Sequence, residues 1–108
     1  MIRAQFFLAN PGKEITGFCV EGHAGLADAG QDILCAAVSS AVYLTANTIT
    51  DILQVAADIV VEQDGKLSLQ IAQTDIPRCR SALLGLQLHL RELQKQYPRQ
   101  LKVCELAV

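Results

Sequence analysis

His23 and Cys35 are the two residues whose types and placement suit covalent chemistry. His23 closes an alternating apolar stretch, Cys35 stands near the start of a long apolar run, and a glycine-rich segment joins them. The first turn of a helix has unsatisfied N–H groups and a positive dipole end, and both favour a thiolate. An imidazole beside such a thiolate is the activated pair of cysteine hydrolases, and N–H groups of the same turn can face a developing oxyanion. By spacing alone, the two residues also read as a strand-end histidine and a small buried cysteine.

Two polar residues share the helix face expected of Cys35. Asp32, three residues earlier, either orients the imidazole as a third triad member or only complements the helix dipole. Both readings stay open. Ser39, one turn later, either hydrogen-bonds in the site or bonds back to its own helix. Cys19, Cys79 and Cys104 read as small buried hydrophobes. Zinc shared by Cys19, His23 and Cys35 would need irregular spacing and an unidentified fourth ligand, so no metal and no cofactor is expected. His89 lies among leucines in a helical pattern and reads as a partly buried structural histidine.

The elements that must hold these residues follow from periodicity. Residues 2–8 alternate as a strand, Asn10, Pro11, Gly12 and Lys13 form a turn, and residues 15–22 make a second strand with Thr16, Phe18 and Val20 on one face. Ala24, Gly25, Leu26, Ala27, Asp28, Ala29 and Gly30 lack bulky anchors and are expected to form a mobile loop. A helix is expected over about residues 32–54, with Asp51 its only charge beyond Asp32. Residues 57–63 and 66–72 form a hairpin around Asp64-Gly65. Pro77 opens a second helix whose core stripe is Ile76, Leu83, Leu86, Leu90, Leu93 and Tyr97. Pro98 ends it, and residues 101–106 supply a last strand. The order is ββαββαβ: an α+β fold with a mainly antiparallel sheet and two helices.

Composition sets the class. The chain of 108 residues reads as one domain, residues 1–108, and 51% hydrophobic against 19% charged residues argues for a packed core. A formal net charge of -2 leaves no basic excess to neutralise phosphates, which excludes a strongly electrostatic nucleic-acid binder. No basic-then-apolar leader opens the sequence. Ser39, Ser40, Thr45, Asn47 and Thr48 interrupt the long apolar stretch and favour a buried helix over a membrane span. The expected address is the reducing cytoplasm, where four cysteines without a CxxC pair stay free. A first helix so apolar all round calls for cover on both sides, by its own sheet and by a partner subunit.

The stretch Gly22-His23-Ala24, followed by Gly30-Gln31-Asp32-Ile33-Leu34-Cys35-Ala36-Ala37-Val38-Ser39, closely resembles the signature of the ribosomal-processing cysteine protease family Prp. The length and the ββαββαβ order resemble that family as well. The resemblance implies a cysteine endopeptidase with His23 as base and Cys35 as nucleophile. It also implies a homodimer with a mobile loop over its site. The implied substrate is the N-terminal extension of a large-subunit ribosomal protein, cut after a Phe within a motif of the kind Leu-Gln-Phe-Phe-Ala. The competing readings are a non-catalytic ribosome-assembly module and a metal-binding or redox-sensing dimer. The chain's own Gln5-Phe6-Phe7-Leu8-Ala9 resembles the cut motif, with core packing of a strand as its simpler explanation.

Overall fold

The computed structural model describes residues 1–10, 12–22, 29–63 and 65–108, and for 29–32 the backbone alone. Strands β1 (Ile2–Ala9) and β2 (Glu14–Glu21) pair antiparallel and set Phe6 opposite Phe18. Both rings are wholly buried, with centroids 6.1 Å apart. Such an aromatic pair contributes about 0.5–1.5 kcal/mol beyond area burial. The register slips between Phe7 and Leu8, where Gly17 faces Phe7 and Ile15 faces Leu8. This bulge corrects the simple alternation. Thr16 leaves the face of Phe18 and Val20 and donates its hydroxyl to the Phe7 carbonyl, and Ile15 takes the buried place.

Helix α1 (Ala29–Asn47) begins earlier than its apolar pattern suggests. Ala29 and Gly30, expected in the loop, are its first residues; the rest of that loop, Ala24, Gly25, Leu26, Ala27 and Asp28, lies outside the described residues. The α-helix also ends sooner, passing into a π-helical turn at Thr48–Ile52. The wider turn is closed by the Leu53 N–H on the Thr48 carbonyl at 2.8 Å. Thr45, Thr48 and Thr50 each donate a hydroxyl to the carbonyl four residues back, at 2.9, 2.7 and 3.0 Å. Ile33–Ile52 is long and apolar enough by length and composition to cross a membrane. Here, Leu34, Val38, Val42, Ala46 and Ile49 are built into the core instead.

The second half repeats the plan with shorter strands than the sequence suggests, β3 (Asp58–Val61) and β4 (Leu67–Gln70). A 3₁₀ turn leads into α2 (Ile76–Gln96), with Pro77 in its first turn, and β5 (Leu101–Ala107) follows. The sheet order is β3-β4-β2-β1-β5, antiparallel throughout except for the parallel pair β1–β5. Alternation puts Ala4, Phe6, Phe18, Val20, Leu67 and Leu69 on one face. There they form one core with α1 and with Cys79, Leu83, Leu86 and Leu90 of α2. Both helices therefore lie on the same side of the sheet. The start of α2 is held to the start of β2 by Arg80, whose guanidinium donates to both carboxylate oxygens of Glu14 at 3.0–3.2 Å.

β1 is an interior strand, paired on both sides, and the Phe7–Leu8 bond sits within it. A protease groove needs an extended, unpaired peptide, so the folded protein should not be trimmed after Phe7. Intact mass spectrometry after long incubation at high concentration should show one species. An accumulating product beginning at Leu8, absent from a Cys35→Ala protein, would contradict this.

Candidate active site

The site is built where β2 hands the chain to α1. Gly22 follows β2 with a φ of +95°, and a Cβ there would collide with the carbonyl of Met1. Only glycine fits both the left-handed backbone and this close approach of the β1 start. His23 is the next residue in sequence and lies outside the described residues. Asp32 belongs to the first turn of α1, but its side chain is outside the description.

Cys35 is in the second turn of α1, a correction to the expected first turn. The helix already runs from Ala29, so the Cys35 N–H falls within the i→i−4 ladder, and the free donors belong to residues nearer the helix start. Its thiol is free, half-buried and packed against the core. Leu34, wholly buried beside it, and Val38 form the stripe that presses α1 onto the sheet. Cys35 thus rides at the margin of the buried stripe, held by packing yet open to solvent. Ser39 is exposed one turn further along the same flank.

The opposite flank of α1 faces α2. Ala37, Ala41 and Leu44 line a groove of about 510 Å³ with Ser81, Gly85 and His89. At 3.6 residues per turn, Cys35 lies about 120–180° around the helix from those three α1 residues. His89 is therefore on the wrong side of α1 to serve Cys35. It is also exposed in this groove rather than set among core leucines, because its position on α2 falls between the buried Leu86 and Leu90 and outside their stripe. The groove escaped the sequence reading; its signal is the small-residue spacing of Ala37 with Ala41 and Ser81 with Gly85.

The sheet separates Cys19 from Cys35. Cys19 stands opposite Gln5 and Ser68, on the face away from Phe18 and from both helices. Cys19 and Cys35 cannot converge on one zinc ion. Burial pushes the Cys19 thiol up from its ordinary value; Glu21 and Glu62 add to the rise and Lys66 opposes it. Burial likewise raises Cys79, with Asp75 adding and Arg78 opposing.

Comparisons with known proteins agree with this architecture. The sequence model of a family described as cysteine protease Prp matches residues 1–102. A comparison with curated proteins returns no match. Among solved structures, the S. aureus ribosomal processing protease Prp with a covalently linked product peptide superposes with a TM-score of 0.86 at 20% identity. That match covers 98% of this chain and 100% of the other. The same protease with a substrate peptide gives the same TM-score, identity and coverage. A Streptococcus mutans protein also reaches 0.86, at 19% identity over 100% of this chain and 96% of its own. At these identities the likeness establishes the fold.

The two raised thiols carry a pH consequence. Their folded values lie above the unfolded ones, so the stability they contribute is fully present below the unfolded thiol range and is lost as pH rises through the folded values. Near neutral pH they stay protonated and shielded. Limiting iodoacetamide should therefore modify Cys35 and Cys104, the two half-buried thiols, ahead of Cys19 and Cys79. Digestion and mass spectrometry give the order, and early labelling of Cys19 or Cys79 would contradict it.

Proposed function

The chain belongs to the cysteine protease Prp family, and we propose that it cuts peptide bonds with Cys35 as nucleophile and His23 as general base. The observation that carries this reading is the placement of Cys35. It is a half-buried thiol on the helix that follows the β2 end, from which Gly22 leads directly into His23. In the reaction, the imidazole takes the thiol proton and sulfur attacks the scissile carbonyl. The imidazolium then protonates the departing amine. Water, deprotonated by the same imidazole, releases the acyl group and restores the thiol.

The proposed substrate is the N-terminal extension of a large-subunit ribosomal protein, cut after a Phe. Support comes from the S. aureus ribosomal processing protease, which shares the fold and was solved with substrate and product peptides. The proposed address is the cytoplasm, where a ribosomal substrate is made.

Cys35→Ala should abolish cleavage of a fluorogenic peptide containing Leu-Gln-Phe-Phe-Ala, with an unchanged circular dichroism spectrum. His23→Ala should lower turnover by about 10²–10⁴-fold and slow alkylation of Cys35 near neutral pH. Asp32→Asn separates its two readings in the same assay. A sharp drop in turnover marks an orienting carboxylate, whereas a stability loss of about 0.3–1 kcal/mol with retained turnover marks a helix-start charge. Undiminished cleavage by Cys35→Ala would overturn the assignment.

The proposed assembly is a homodimer. Leu44 lines the groove between the helices, and Ile33 of α1 and Leu84 and Leu88 of α2 are exposed on the same two helices. Exposed large apolar side chains on two adjacent helices are the kind of surface that a second copy would cover. Leu44→Asp with Leu88→Asp should convert a dimer to a folded monomer in sedimentation equilibrium. An unaltered mass would place the contact elsewhere.

A further inference from the structure

The two edges of the sheet are finished differently. At β5, the Val103 N–H donates to Gln94 Oε1 of α2 at 2.6 Å, and Gln87 and Arg91 reach over to Glu105. Among the described residues, β3 has no such cover. The Glu62 N–H donates inward to the Lys66 carbonyl at 2.8 Å. Backbone groups alternate along an antiparallel strand, so Val60 also bonds toward β4, and Ile59 and Val61 turn their N–H and C=O groups to the open edge.

Side chains follow the same alternation. Ile59 stands opposite Leu69 and Val61 opposite Leu67, and both leucines are buried on the helix-bearing face. Ile59 and Val61 share that face, yet they are 38% and 59% exposed. Among the described residues, α2 packs on β2 and β5, α1 lies beside α2, and β3 keeps its apolar side chains exposed.

This strip lies on the same side and at the same end of the sheet as the candidate thiol. α1 turns Ala37, Ala41 and Leu44 toward α2, so the flank with Cys35 and Ser39 faces away from α2, toward the β4–β3 side. Val61 pairs with Leu67, and Leu67 with Val20, close to the end of β2 where α1 begins. Val61 and Cys35 therefore share one end of the sheet.

We infer that β3 is the second wall of the substrate groove. An extended peptide adds to its open edge, bonds to the backbone of Ile59 and Val61, and lays alternate apolar side chains against theirs. The scissile bond is then delivered to Cys35; the inference rests on the protease reading of that residue. A four-residue strand spans about 13 Å, the reach of a few substrate residues. That is little area for a stable dimer, which buries about 800 Å² per partner. The strip also lies toward the flank and the sheet end that carry the thiol. Both points favour peptide over a second copy of the chain.

The test uses binding as well as turnover. With Cys35→Ala protein and a fluorescent peptide containing Leu-Gln-Phe-Phe-Ala, Val61→Lys should weaken binding about tenfold or more by anisotropy. Val60→Lys, on the other face of the strand, should not. Should Val61→Lys fail to fold, N-methylated peptides on the Cys35→Ala protein with β3 unaltered decide the matter: alternate amides, not intervening ones, should be sensitive. In protein retaining Cys35, Val61→Lys should raise KM with an unchanged iodoacetamide rate. Equal binding by all variants and peptides overturns the inference, as does a Val61→Lys protein of halved mass. Loss of binding in Val61→Lys alongside an enzyme that cleaves nothing would sink the protease reading and keep the groove. Unchanged KM in an active Val61→Lys enzyme would do the reverse.

Discussion

The apolar layer between the sheet and its two helices carries the molecule, and the pair Phe6–Phe18 lies at its centre. Burying such a side chain contributes about 1.5–3 kcal/mol, and this pair ties β1 to β2 before any helix is added. Leu69 extends the row across β4, and Leu34 and Leu83 press down from the helices. Position at the site is inherited from this packing. Leu34 sits wholly inside the layer, so its neighbour Cys35 must sit on the layer's margin. A small rotation of α1 would either bury the thiol or strip it of its packing.

The sheet is asymmetric about that layer. Ala4 and Phe6 lie in an interior strand, with α2 above β2 and β5. α2 also closes the β5 edge through Gln94, Gln87 and Arg91. Among the described residues, the two helices leave the β3 edge uncovered, and it is the edge on the thiol's side. Among the described residues, the opposite face of the sheet has no helix and carries a charged row, in which Lys66 pairs with Glu21 at 3.8 Å.

An apolar helix as long as α1 must also dispose of its polar side chains. Thr45 and Thr50, buried or half-buried, spend their hydroxyls on carbonyls of the preceding turn. Thr45 lies just before the π turn and Thr50 within it, so this back-bonding accompanies the change of helix type. Arg78 of α2 then donates to the Leu53 carbonyl, and Gln54, at a φ of +55°, turns the chain toward β3. Thr45 and Thr48, two of the polar residues that interrupt the apolar stretch, thus bond back to the helix near its end.

Periodicity and turn chemistry were enough to determine the order ββαββαβ, the central strands and the core stripe of α2. These depend on interactions between residues near in sequence. The motif around His23 and Cys35 was equally legible, because its residues are chemically distinctive. Boundaries were not: the start of α1 is Ala29 because a helix extends for as long as its backbone can bond, whatever the side chains of Ala29 and Gly30 favour. The bulge that trades Thr16 for Ile15, the solvent-facing groove position of His89, and the separation of Cys19 from Cys35 are decided by strand register and helix rotation. Those are set only when distant segments pack together. The open β3 edge is of the same kind, since Ile59 and Val61 look like core residues in sequence and are exposed in the fold, where α2 packs on β2 and β5 instead.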